Sequence, residues 1–315
     1  MSGPPRILAF GRSRMFLRSI EGVAAAGFSL AGIVTDVPYA EYDVVESDFE
    51  ALARRLSVPF YQAGDLTSLP DEALVADYAI SVNWRRRVPA RTLGLFAKAP
   101  LNFHLGNLPD YKGNATIQWA MLRGERHIQA DVHRMALELD AGDVVARASI
   151  AITDECYVAD ILQEAERLAP RLFVEAVTEL EKDPRRCLVP GSTGGLRCYP
   201  RIEDDYRIDW RQPAEQIARL VRCSSRPYPG AYSYLDNRRV VFWRARARRP
   251  SFPFLAVPGH VVAYDTSSGQ ITIACGEGFL DVSEIGLPAE QRGSLLPAEV
   301  VRSIRLRFTN KGSFT

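Results

Sequence analysis

Residues suited to metal or disulfide chemistry are scarce. The five cysteines, Cys156, Cys187, Cys198, Cys223 and Cys275, are odd in number, scattered, and form no CxxC pair. The pattern fits free thiols in a reducing cytoplasm better than a disulfide framework. The four histidines, His104, His127, His133 and His260, show no HxxxH spacing, so no structural or catalytic metal site is expected. No apolar run approaches the length of a membrane span, and Met1–Arg6 leads straight into an apolar strand without signal-peptide architecture. The expectation is a cytoplasmic protein. With a net charge of +1 there is no global field to attract nucleic acid or an anionic membrane. A G-x-G-x-x-G fingerprint is missing, since Gly11 stands alone, which weakens a nicotinamide reading. G-x-S-x-G is also missing, so acyl-enzyme hydrolysis has no support.

What is present is ordinary for a globular chain. The 315 residues are 47% hydrophobic and 24% charged, enough for a sizeable core and an expected two domains. Arg6–Phe10 reads as a strand, Met15–Gly27 as a helix and Leu30–Thr35 as a second strand. This βαβ unit implies a parallel sheet. Gly11-Arg12-Ser13-Arg14 opens the helix, where it is either an anion-holding turn or a plain connection. The alternation continues: helix Phe49–Leu56, strand Val58–Tyr61, helix Leu69–Leu74 and strand Tyr78–Val82. Arg85, Arg86 and Arg87 follow that strand's C-terminal end, where open α/β sheets bind ligands. Ala115–Gly124 reads as a helix capped by Asn114, and Gln129–Ala136 and Val144–Ile152 as strands. His133, alone within its strand, reads as a satisfied structural residue. A long amphipathic helix is expected from Thr153, kinked or restarted at Pro170.

Composition shifts at Asp183–Pro200, where Pro184, Pro190, Gly191, Gly194 and Gly195 mark a boundary. Beyond a helix at Pro213–Arg222, five short β-runs suggest a small antiparallel barrel: Ala231–Tyr234, Val240–Ala247, Gly259–Tyr264, Gln270–Ala274 and Phe279–Ile285. Leu296–Ile304 reads as a closing helix. The expected fold class is therefore α/β: an N-terminal Rossmann-like, mostly parallel sheet with helices on both faces, then a smaller C-terminal OB-like β-barrel.

The chemistry concentrates in Leu101–Gly113. Asn102 and His104 are two apart, so an extended segment points both side chains to one side. Gly106, Pro109 and Gly113 then turn the chain. Downstream, Leu139-Asp140-Ala141-Gly142-Asp143 adds acids around a glycine. With no nucleophile motif, direct transfer to a bound acceptor remains. Carbonyl transfer to an amine needs an N–H donor for the oxyanion, an imidazole to manage a proton, and a carboxylate to orient that imidazole. Asn102, His104 and Asp140 are those three types.

Asn102-x-His104, Leu108-Pro109-x-Tyr111-Lys112-Gly113 and Leu139-Asp140-x-Gly142 resemble the folate-dependent formyltransferase family. The resemblance continues through Ile208-Asp209-Trp210, Arg226–Ala231 and Pro258-Gly259. It implies a catalytic domain over 1–190, a linker over 191–205 and a C-terminal barrel domain over 206–315. It also implies N10-formyltetrahydrofolate as co-substrate. Asn102 and His104 would polarise the formyl group and Asp140 would accept or relay the proton. Trp84, Arg86, Val88, Leu101 and Asp143 would line the pterin. Within the family, His104-x-Gly106-x-Leu108-Pro109-x-Tyr111-x-Gly113-Asn114-Ala115, followed by Trp119, is more similar to the sugar-nucleotide N-formyltransferases. Methionyl-tRNA formyltransferase is the alternative, and hydrolysis of the formyl donor or a non-catalytic binding module are further readings. The expected partner is a small-molecule amine, a nucleotide-linked amino sugar, with nucleic acid and membrane disfavoured and a homodimer open. Gly11, Arg12, Tyr111, Asn114 and Trp119 are the acceptor-binding candidates.

Overall fold

A computed structural model describes residues 3–37, 43–287 and 294–310. The chain runs β1 (Arg6–Gly11), α1 (Arg14–Ala25), β2 (Ser29–Thr35), α2 (Glu46–Leu56), β3 (Phe60–Gln62), α3 (Asp71–Leu74), β4 (Ala76–Val82), α4 (Ala90–Leu93) and β5 (Phe96–Leu105). It continues with β6 (Lys112–Gly113), α5 (Thr116–Arg123), β7 (His127–Arg134), β8 (Val144–Ala151), α6 (Val158–Lys182), β9 (Arg197–Cys198) and α7 (Ala214–Ser224). The last elements are β10 (Ala231–Leu235), β11 (Arg238–Arg248), β12 (Val261–Tyr264), β13 (Ile271–Ala274), β14 (Phe279–Gly286) and α8 (Pro297–Val300). Two compact units result. One takes the chain up to Thr116, with His127–Ala151 and Ile161–Tyr199. The other takes Ile117–Arg126, Ile152–Asp160 and the chain from Pro200 on. Among the described residues no helix is long and apolar enough to cross a membrane.

The first unit is built on a seven-stranded sheet in the order β3-β2-β1-β4-β5-β7-β8. Strands β3 through β5 are parallel, and β7 and β8 add antiparallel. This is a doubly wound sheet whose order reverses between β1 and β4, the crevice that binds ligands in such folds. In β1, Leu8 and Phe10 join one buried cluster while their neighbours Ile7 and Ala9 are equally buried, so both faces of the sheet are covered. Helix α1 starts where the Ser13 hydroxyl accepts the Phe16 N–H.

The second unit centres on a five-stranded antiparallel sheet in the order β10-β11-β14-β13-β12. The segment near Phe308 joins its two edges. Thr309 bridges Tyr234 on β10, and Arg307 bridges His260 next to β12. Pairing both edges closes the sheet towards a barrel and leaves less unpaired backbone. Inside lie Trp210, Phe242 and Phe308, whose rings pack pairwise at 5.2–5.7 Å between centroids.

Several expected elements differ. Helix α3 begins at Asp71, not Leu69, because Pro70 has no N–H to continue a helix from the Asp65-capped turn before it. Helix α6 begins at Val158, not Thr153. Asp160 caps the Tyr157 N–H, and residues 153–156 close a separate turn. It then runs through Pro170 as one helix, with Gly22 packed against the proline ring. Asn114 does not cap α5, because Ala115, at φ 53°, intervenes. Helix α8 spans only Pro297–Val300, after which the chain turns to bridge His260.

Candidate active site

Strand pairing brings the polar side chains together. On β5, Asn102 lies opposite His133 of β7, and His104 lies opposite Asp131. Asp131 in turn lies opposite Arg147 of β8. Directly opposed residues share a face. The sheet therefore carries two polar rows, Asn102–His133 and His104–Asp131–Arg147.

Asp140 arrives from the loop between β7 and β8, at φ 54°, and is 7% exposed. Its Oδ2 accepts the Gly113 N–H at 2.9 Å and lies 3.6 Å from His104 Nδ1. Its Oδ1 lies 3.5 Å from His133 Nε2. Burial alone would raise this carboxyl. The charges of His104 and His133 and the Gly113 N–H outweigh burial and hold it below the usual carboxylate range.

The two imidazoles have different constraints. His104 Nε2 meets the Tyr111 carbonyl at 2.7 Å. A carbonyl only accepts, so Nε2 carries the hydrogen and Nδ1 is the atom turned to Asp140. Gly106 permits this bond, since a Cβ there would sit 2.5 Å from both His104 Nε2 and the Tyr111 oxygen. His133 Nδ1 donates to the Arg134 carbonyl at 2.8 Å. In the neutral ring its Nε2 then accepts from the Asn102 amide at 3.1 Å. His133 thus orients Asn102 and touches Asp140. Expected as a structural strand residue, it belongs to the cluster, and the signal that reveals it is the β5–β7 register.

A second acid was also missed. Asp131, with no exposed surface, receives Arg147 through Nε and an NH2 nitrogen at 2.6 and 2.7 Å. The pair also grips Leu108, whose N–H donates to Asp131 and whose carbonyl accepts from Arg147. Burial pushes the Asp131 carboxyl up, and Arg147 partly offsets it.

The loop after His104 is pinned from another side. Lys112, almost wholly buried, donates Nζ to the carbonyls of Ser192 and Gly194. Asp110 accepts the Leu196 N–H at 2.9 Å, and β6 pairs with β9. Asp143 accepts the Gly191 N–H at 2.7 Å, and its carbonyl accepts from Arg134.

The other candidate residues spread more widely. Gly11 and Arg12 stand at the β1–β4 crevice. Arg12 donates from its backbone N–H to the Val82 carbonyl and from Nε to the Asn83 carbonyl. Trp84 packs edge-on against Phe10, centroids 5.4 Å apart, and Val88 joins the same buried cluster. Arg86 is exposed, 3.5 Å from Asp65. Leu101 is fully buried beside Asn102 on β5. Tyr111, at φ 54°, turns its carbonyl to His104. Asn114 is exposed and donates its N–H to the Cys198 carbonyl. Trp119 lies in the second unit, where Arg201 stacks 6.0 Å from its ring. Among the described residues no group of three or more His, Cys, Asp or Glu is placed to hold a metal.

The doubly wound sheet thus carries Asn102, His104 and His133, and the β7–β8 loop brings Asp140 against both imidazoles. Residues 69–177 match formyl transferase and residues 202–295 match the formyl transferase C-terminal domain, so the chain belongs to the formyltransferase family. Solved structures share the fold at low identity. HypX from Aquifex aeolicus, in complex with tetrahydrofolic acid, is 19% identical with a TM-score of 0.62 over 94% of this chain and 46% of that one. The chain therefore spans just under half of HypX. An N-formyltransferase from Helicobacter canadensis, bound to folinic acid and dTDP-3-aminofucose, is 13% identical, with a TM-score of 0.61 over 88% and 97%. Methionyl-tRNA formyltransferase from Clostridium thermocellum is 15% identical, with a TM-score of 0.53 over 78% and 94%.

Proposed function

We propose that this chain transfers a formyl group from N10-formyltetrahydrofolate to the amine of a nucleotide-linked amino sugar. The observation that carries the reading is the Asp140 carboxylate held ionised between His104 and His133, beside the Asn102 amide. The folate supplies an activated formyl carbon and, once released, a nitrogen that takes up a proton. The remaining work falls to side chains. One Asn102 N–H is engaged by His133, which leaves the second to donate to the formyl oxygen as charge builds there. His104, locked through Nε2 to Tyr111, presents Nδ1 to the same space. The carboxylate of Asp140 accepts the proton that the attacking amine loses, and either imidazole can share it at 3.5–3.6 Å.

Two features support the pterin and acceptor assignments. Trp84 and Val88 supply apolar surface just beyond the C-terminal end of β4, Leu101 lies buried within β5 beside Asn102, and exposed Arg86 is available to an anionic tail. The near-zero net charge suits a small, locally charged acceptor better than tRNA.

The test is to incubate purified protein with formyl donor and a panel of nucleotide-linked amino sugars, reading the mass gain of one formyl group. Methionyl-tRNA and a no-amine control run alongside. Formylation of an amino sugar is the expected result. Exclusive modification of methionyl-tRNA, with steep salt dependence, would replace the acceptor. Release of formate without any amine would replace the reaction with hydrolysis.

A further inference from the structure

Within the second unit, helix α7 places Arg219 and Arg222 three residues apart on one face. Both line a small cleft that opens to solvent, together with Gly124, Glu125, Arg126 and Asp154. Arg222 is only 6% exposed, and its Nε is buried without an acceptor. Among the described residues neither Arg222 nor Arg219 forms a hydrogen bond or an ion pair. The acids in the cleft are taken by other arginines. Asp154 lies 3.1 Å from Arg126, and Glu125 lies 3.9 Å from Arg123. The Arg219 guanidinium lies so close over Gly124 that a Cβ there would come within 2.8 Å of its Cζ.

A buried guanidinium N–H with no acceptor is costly, because it gives up water for nothing, and here it is the Arg222 Nε that does so. Guanidinium groups match oxyanions in shape and charge, forming paired N–H···O bonds. We infer that this cleft is an oxyanion site, in which Arg222 and Arg219 hold a phosphate or carboxylate group of a small ligand. None of its lining residues belongs to the Asn102–His104–His133–Asp140 cluster, so the site stands whether or not the proposed reaction holds. Phosphate and carboxylate share the recognition chemistry, and the measurement separates them.

The experiment uses the full chain in low-salt buffer. Sodium phosphate, sodium acetate and sodium chloride are compared at matched ionic strength, by calorimetric titration and by the thermal midpoint. Either oxyanion at about ten times its Kd should raise the midpoint by roughly 3 °C over chloride, and the anion with the lower titrated Kd names the group. Arg222→Met, which removes the buried charge at similar length, should abolish the shift and raise the midpoint in chloride. Arg219→Gln, at a half-buried position, should weaken the titrated affinity about tenfold, and it keeps the test alive if Arg222→Met does not fold. Equal midpoints in all three salts with no heat of binding, or an unchanged shift in both variants, would overturn the inference.

Discussion

Two buried aspartates in the first unit face the same histidine and do opposite things. Asp131 faces His104 across the β5–β7 pairing, and Asp140 approaches its Nδ1 from a loop. Asp131 has one dominant partner, Arg147, and burial pushes its carboxyl up. Asp140 has no arginine. Two imidazoles and a backbone N–H hold it below the ordinary range despite comparable burial. The lesson concerns what a partner leaves available. A bidentate guanidinium uses up a carboxylate and turns it into scaffold. Histidines at 3.5–3.6 Å keep it ionised while leaving it able to take and pass a proton.

The comparison is broken most severely at Asp140. Asp140→Asn should fold normally, because asparagine tolerates the φ of 54° better than alanine would, yet lose about 10²–10⁴-fold in kcat. Turnover measured beside a retained cooperative unfolding transition checks this, and an active, folded variant would sink the role assigned to Asp140. Asp131→Ala should do the reverse. It leaves Arg147 half-buried without its partner and costs about 3–5 kcal/mol of stability, read by urea denaturation. Gly106→Ala should fall between the two. Its methyl group would push His104 off the Tyr111 carbonyl and reduce kcat by about 10²-fold with modest loss of stability. His133→Ala should cost roughly five- to tenfold in kcat through lost aim of Asn102, and Asn102→Ala should remove most of that sensitivity in a double-mutant cycle.

The smallest effect sharpens the contrast by pH. Asp140 is depressed in the folded chain, so its stabilisation is fully present above its ordinary value of 3.8 and is lost as pH falls below that. Asp131 is raised, so its contribution is present below 3.8 and fades as pH climbs through its folded value. The stability gap between wild type and Asp140→Asn should therefore narrow in acid, measured by urea denaturation across pH. A gap that widens below pH 3.8 would reverse the assignment.

Much of the frame was legible in the residues. Alternating apolar runs and turn residues gave the parallel sheet and the short-stranded C-terminal region, because those patterns are local. Asn102 and His104 were legible for the same reason, two apart in one strand. Asp140 needed the motif as well, since an acidic turn is common. His133, Asp131 and Arg147 were not legible. Their roles come from register between β5, β7 and β8, a long-range property that no local spacing encodes. The shortened α8 and the late start of α6 also depend on longer-range or capping contacts that outcompete apolar periodicity.

Lys112, Asp110 and Asp143 together tie residues 191–196 to the loops that carry Tyr111, Gly113 and Asp140. These loops therefore share one opening event. The amides of Gly113 and Leu196, held by Asp140 and Asp110 on segments joined through the β6–β9 pairing, should therefore exchange with solvent hydrogen at similar rates. A nick in the glycine-rich stretch around Gly194 would then be felt as a loosened Asp140, although no bond among Asn102, His104, His133 and Asp140 had been touched.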